Sequence, residues 1–172
     1  MNVEMVLSVI ATDRPGLVRL LAEAVAAHGG NWIDSSMARL GGEFAGIVRV
    51  ALPEGSVTTL EGALSGLSQQ GVTVTARRSA GTPPPTRAAT LELTCADTPG
   101  IVREIAAALA ERVVSIDELK TSVFEGSMSG QPLFSAKARL ALPEGLDADS
   151  LRETFEAIGQ DIVAEIAVRD VD

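Results

Sequence analysis

The segment Ala11-Thr12-Asp13-Arg14-Pro15-Gly16-Leu17-Val18-Arg19 returns 84 residues later as Cys95-Ala96-Asp97-Thr98-Pro99-Gly100-Ile101-Val102-Arg103. A second match, "ALPEG", stands at 51–55 and at 141–145, an offset of 90. A chain that repeats itself in this way is built as two copies of one unit. The growth of the offset places about six extra residues in the second copy. They belong in "FEGSMSGQP" (124–132), which stands where the first copy has the tight "LGGEF" (40–44). Between the copies lies "SAGTPPPTRA" (79–88), whose consecutive prolines cannot donate backbone hydrogen bonds and favour an extended spacer. The expected organisation is one unit over 1–79, a Pro-rich linker over 80–87 and a second unit over 88–172.

Both copies carry the same pattern. Val3, Met5, Leu7, Val9 and Ala11 alternate with more polar positions, as do Leu91, Leu93 and Cys95, which reads as a half-buried strand. Leu17, Leu20, Leu21, Ala24 and Val25 form one helical face, repeated by Ile101, Ile105, Ala108 and Leu109. Asn31 to Leu40 and Glu43 to Ala51 read as two strands joined by Gly41-Gly42, a pair suited to a two-residue hairpin turn. A second helix follows, with the stripe Leu60, Ala63, Leu64 and Leu67 ending at Gly71, or Leu151, Phe155 and Ile158 ending at Gly159. The last strand is 72–76 in one copy and 162–166 in the other. The order β-α-β-β-α-β, twice, predicts an α+β fold of two ferredoxin-like units. Each is an antiparallel four-stranded sheet with two helices on one face. Units near 80 residues bury little of their surface, so a homo-oligomer is expected.

The Asp-x-Pro-Gly turn has two readings. Structurally, Asp13 or Thr12 accepts from the first helical N–H groups, Pro15 needs no donor, and Gly16 allows the bend. Functionally, a turn at a helix N-terminus presents N–H groups to a carboxylate, and Asn31 is a candidate acceptor for the matching ammonium. Duplication copies architecture as faithfully as sites, so repetition does not choose between them.

The run "D-R-P-G-L-V", then "G-G-N-W-I-D-S", resembles the ACT domain, a small-molecule sensing module that commonly binds amino acids. The likeness extends over "NWIDSSMARLGGEF" (31–44) and "SIDEL" (115–119), and the two copies from about 3 to 170 are similar to tandem ACT regulators, among them repressors of glycine cleavage. The resemblance implies ligands at an interface between ACT units, touched by the Pro-Gly turn and the start of the second strand. Carried over by position, it marks Asp13, Arg14, Pro15, Gly16, Leu17, Asn31 and Trp32 in the first copy. In the second it marks Asp97, Thr98, Pro99, Gly100, Ile101, Ser115 and Ile116. Ser115 replaces the Asn, and "RVVS" replaces the small "HGGN", so the first site is the one expected to bind.

Nothing in the chain assembles a catalytic centre. His28, the single histidine, falls at a helix end, where a cation is favoured. Cys95 aligns with Ala11 on the inward strand face, and one Cys with one His make no typical zinc site. "LDADS" (146–150) resembles an aspartyl nucleophile motif, yet it precedes a helix, where Asp147 or Asp149 reads as a cap. Trp32 is either core or an anchor at a domain interface. No cofactor or metal is expected.

Charge narrows the partners. The net charge is −9; residues 87–172 hold 8 basic and 16 acidic side chains, against 6 and 7 in residues 1–86. Direct nucleic-acid binding is not expected of so acidic a chain. Asp117, Glu118, Asp147, Asp149, Glu153 and Glu156 form either a partner-facing surface or a solvated one. No apolar run reaches the roughly 18 residues of a membrane span, and the expected compartment is the cytoplasm. The expectation is a non-enzymatic protein that senses a small amino acid such as glycine or serine and modulates a partner protein, a transcription factor of glycine cleavage. The alternatives are a regulatory subunit of an amino-acid biosynthetic enzyme and a stand-alone enzyme. About five heavy atoms at roughly 1.5 kcal/mol each cap the affinity for glycine near micromolar, which suits a sensor of metabolite levels.

Overall fold

The central strand of the first unit, β1 (Asn2–Thr12), buries Met5, Leu7, Val9 and Ala11 on one side, as its period-2 pattern requires. In this computed structural model, which describes residues 1–81, 87–126, 130–159 and 162–169, β1 pairs antiparallel with β3 (Glu43–Pro53) and β4 (Val72–Arg78). The edge strand β2 (Asn31–Leu40) lies beyond β3, giving the order β2-β3-β1-β4. Helices α1 (Leu17–Ala27) and α2 (Val57–Gly66) cover the buried side with Leu17, Leu21, Val25, Leu60 and Leu64. Leu67 falls in a 3-10 turn (Leu67–Gln70) that continues α2 and ends at left-handed Gly71, φ 74°.

The second unit repeats this with β5 (Arg87–Ala96), α3 (Ile101–Glu111), β6 (Ser115–Glu125), β7 (Pro132–Leu142), α4 (Ala148–Ile158) and β8 (Val163–Arg169), in the order β6-β7-β5-β8. Its core joins Leu91, Leu93 and Cys95 to Ile101, Ile105, Leu109, Leu151 and Phe155. The two compact units are Met1–Thr82 and Pro83–Asp172. Of the expected linker, 82–86 lie outside the described residues, and Arg87 already belongs to β5. In the segment read as an insertion, 127–129 also lie outside them. Gly159 follows α4 with extended backbone (φ −163°), unlike left-handed Gly71, and its N–H donates to the Phe155 carbonyl at 3.4 Å. No described helix is long and apolar enough to cross a membrane.

Candidate ligand site at the repeated turn

Gly16 and Gly100 have the same left-handed backbone, φ 91° and 94°, and each is the N-cap of its helix. Their carbonyls accept from Leu20 (2.9 Å) and Glu104 (3.1 Å), closing the first helical turn. Each turn is also tied to the adjacent hairpin: Asp13 N–H donates to the Gly42 carbonyl at 2.9 Å, and Asp97 N–H to that of Pro132 at 3.1 Å. A positive φ is inexpensive only for glycine, which accounts for its place in both copies.

The expected side-chain cap is absent. Neither helix has a side-chain acceptor at its N-cap. Asp13 turns away to accept from Arg39 at 3.0 Å, and the Thr12 hydroxyl meets Glu43 at 3.4 Å. Pro15 precedes the glycine cap and so lies outside the helix. No side chain therefore caps the first-turn N–H groups of either helix.

Here the two copies differ. Arg14 donates through a guanidinium nitrogen to the Gln70 carbonyl at 2.7 Å, bridging the turn to the end of the α2 extension. Arg14, Pro15, Gly16, Leu17, Leu20 and Gln70 line a cleft of about 160 Å³. That is the space of roughly five waters at liquid density, adequate for a molecule of a few heavy atoms. Thr98 stands in place of Arg14, and its carbonyl accepts from Ile101 N–H at 3.2 Å. No such bond occupies Leu17 N–H among the described residues.

Asn31 and Trp32 do not join the turn of their own unit. Asn31 pairs with Ala51, which pairs with Glu4, whereas the turn follows Thr12, opposite Glu43. Eight residues of strand, roughly 27 Å, separate them. Within one unit, Asn31 is therefore out of reach of an amino acid held by the Asp13–Leu17 turn. Ser115 lies equally far from the Asp97–Ile101 turn, opposite Ala141 and Ala88. Asn31 is exposed, Trp32 is half-buried against the first core, and Ser115 and Ile116 are exposed.

Two features at these strand starts escaped the sequence reading. A bulge displaces the register between Trp32 and Asp34, and again between Ile116 and Glu118. Immediately after it an acid meets an arginine on the neighbouring strand: Asp34–Arg49 at 2.9 Å and Glu118–Arg139 at 3.5 Å. Lys120 hydrogen-bonds Glu118 at 2.8 Å and, with Arg139, holds its carboxyl below the usual range. The signal was present, since Asp34 and Glu118 keep the offset of 84 and Arg49 and Arg139 that of 90.

The remaining candidates sort simply. His28 caps α1, with Nδ1 2.8 Å from the Ala24 carbonyl, and Cys95 is core. Asp147 caps α4 by accepting from Ser150 N–H at 2.7 Å. The six acids read as one possible surface do not gather. Asp117 and Glu118 lie on edge strand β6, whereas the other four belong to α4 and its cap, and α4 packs on β8 at the opposite edge.

Residues 4–76 match the family profile of the ACT domain. The match lies within the first unit, whose fold the second repeats. Over 172 residues this chain is 26% identical to the glycine cleavage system transcriptional repressor of Escherichia coli (strain K12), covering 97% of this chain and 90% of that protein. A crystal structure of an unknown protein from Galdieria sulphuraria superposes with a TM-score of 0.80, at 30% identity over all of both chains. A putative glycine cleavage system transcriptional repressor superposes with a TM-score of 0.73 at 23% identity, covering 99% of each chain, and shows the same fold. The family match of the first unit and this full-length likeness support amino-acid-sensing regulation.

Proposed function

We propose that this protein binds a small amino acid such as glycine or serine, has no catalytic role of its own, and acts by changing its hold on a partner protein. The observation that carries this reading is the asymmetry of the two turns. Among the described residues, only the first combines a helical N–H with no backbone acceptor, an arginine and a cleft of about 160 Å³. A carboxylate there accepts from Leu17 N–H and from the Arg14 guanidinium, the donor set that suits it best. Gly16 and Pro15 let it approach the backbone, and Asp13 holds the turn to the hairpin through Arg39. The ammonium needs oxygens that this turn does not offer, and Asn31 of a second copy supplies one, with Trp32 beside it. The second turn (Asp97, Thr98, Pro99, Gly100, Ile101, with Ser115 and Ile116) serves as architecture. Its first helical N–H is already spent.

Occupancy and partner binding are then linked reciprocally. The relative's name, a repressor of glycine cleavage, favours a transcriptional regulator as that partner over a biosynthetic enzyme. Thermal unfolding of the full chain against each common amino acid, with Arg14→Ala and Asn31→Ala alongside, tests the reading. A ligand at 100 times its dissociation constant stabilises by about 2.7 kcal/mol, a shift of several degrees. Glycine or serine is expected to give it, and both variants to lose it while remaining folded. No shift with any amino acid overturns the proposal.

A further inference from the structure

The face of the first sheet that the helices leave bare has an unusual composition. Its two central rows run across all four strands and contain no charged residue: Ala38, Ala45, Ile10 and Thr73, then Ser36, Ile47, Ser8 and Thr75. Ile10 is 49% exposed and Ile47 53%, the largest side chains in those rows. Charge returns in the adjoining rows, with Glu43 on one side and Asp34, Arg49 and Arg77 on the other. The second sheet lacks this property. Its corresponding rows carry Glu92 and Lys137, paired at 3.0 Å, and Lys120 opposite Lys137.

We propose that this face docks on the same face of a second copy of the chain. Consider a two-fold axis between the stacked sheets, perpendicular to the strands, which sets β3 on β3 and β1 on β1 with directions reversed. Rows along a strand repeat every two residues, roughly 6.8 Å, and stacked sheets align to within about 30°. With the axis midway between the two uncharged rows, Ile47 lies over Ala45 of the second copy and Ile10 over Ser8. Large thus meets small on the two central strands, β1 and β3, the condition for two sheet faces to interdigitate. The same operation sets Glu43 over Arg49 at both margins, where it joins the Asp34–Arg49 pair (2.9 Å) from across the interface. With the axis so placed, both matches follow from the register of β1 with β3. Four strands by four rows present roughly 500 Å² per copy, about 1,000 Å² in total, the lower bound for a specific interface. The dimer is accordingly weak, and it forms without an amino acid.

Sedimentation of the full chain between about 1 and 100 µM tests this. The unmodified protein is expected to pass from monomer to dimer across that range. Ile47→Lys together with Ile10→Lys, at positions already in solvent within one copy, is expected to remain monomeric throughout with an unchanged circular dichroism spectrum. Glu43→Lys is expected to weaken the dimer at least tenfold, whereas Leu119→Lys and Val123→Lys on edge strand β6 leave it unchanged. A monomer at every concentration, or a dimer that survives Ile47→Lys and Ile10→Lys, overturns the proposal. Running the series with and without glycine separates it from the ligand reading, since loss of ligand response leaves this dimer intact.

Discussion

Val113 occupies in the second unit the backbone position that Gly29 occupies in the first. Both follow the C-cap of the first helix of their unit, with φ 58° and 70°, and both donate back to the last turn, to the carbonyls of Ala110 and Ala26 at 3.0 Å. A left-handed residue is the ordinary way to end a helix, and glycine is its ordinary occupant. A β-branched residue there costs about 1–3 kcal/mol, and Val113, 77% exposed, recovers little of it by burial. Val113→Gly is therefore expected to stabilise the second unit by about 1 kcal/mol, after the added chain entropy of glycine is subtracted. Urea unfolding followed by a probe in the second unit checks this. An unchanged or lowered midpoint would show that Val113 makes compensating contacts.

Gly46 is the converse case. It lies on β3 opposite Met37, with ordinary backbone. A Cβ built on it meets the Ser36 carbonyl oxygen at 2.3 Å and the Met37 Cα at 2.6 Å. Both are backbone atoms, so β2 must move away from β3 to admit a methyl group. Gly46→Ala is expected to destabilise the first unit by about 2–3 kcal/mol, the scale of an overpacked core. The second unit already has Ala136 at this place, paired with Thr121, so Ala136→Gly should cost only about 1 kcal/mol in strand propensity and lost packing. Comparable losses at the two sites would contradict the close approach of β2 to Gly46.

The sequence made the architecture legible because its strongest signals are local. Alternation in β1 and the 3.6-residue stripes of α1 and α3 name their own buried residues, and duplication supplies every element twice. The site was legible only in part. Asp13 in a turn before a helix looks like a cap, and nothing local reveals that Arg39, 26 residues on, draws its carboxylate away. The separation of Asn31 from the turn is a matter of register, which a sheet of four strands decides by pairing β2 with β3 rather than by any motif. The bulges at Ile33 and Asp117 are a further non-local effect. The inward positions Trp32 and Met37 are five apart, an odd spacing that unbroken alternation forbids.

Capping makes a direct comparison between Asp147 and Asp13. Asp147 accepts from Ser150 N–H at 2.7 Å, so Asp147→Ala is expected to cost about 1 kcal/mol in the second unit. Asp13→Ala removes only a partly exposed ion pair with Arg39 and is expected to cost less than about 1 kcal/mol. Asp13→Ala with Arg39→Ala should cost little more than either alone, which a double-mutant cycle in urea measures. A loss at Asp13 as large as that at Asp147 would restore the capping role that the geometry denies it.

Acid should weaken both units in the same direction. Hydrogen bonding to Arg78 lowers the carboxyl of Glu54 from its usual 4.5, and hydrogen bonding to Lys120 lowers that of Glu118. A carboxylate whose folded value lies below its unfolded one stabilises the fold above the unfolded value, and the gain disappears as pH falls through the folded one. The window therefore opens near pH 4.5 and extends below it. Both carboxylates are solvated, so each contribution is small and screened by salt. The measurement is the urea midpoint at about pH 7 and about pH 3 for the unmodified chain, Arg78→Ala and Lys120→Ala. At neutral pH each variant is expected to unfold slightly earlier than its parent, and at the lower pH the difference should narrow. A gap that stays constant across this range would assign the effect to lost packing of the Arg78 and Lys120 stems rather than to their charges.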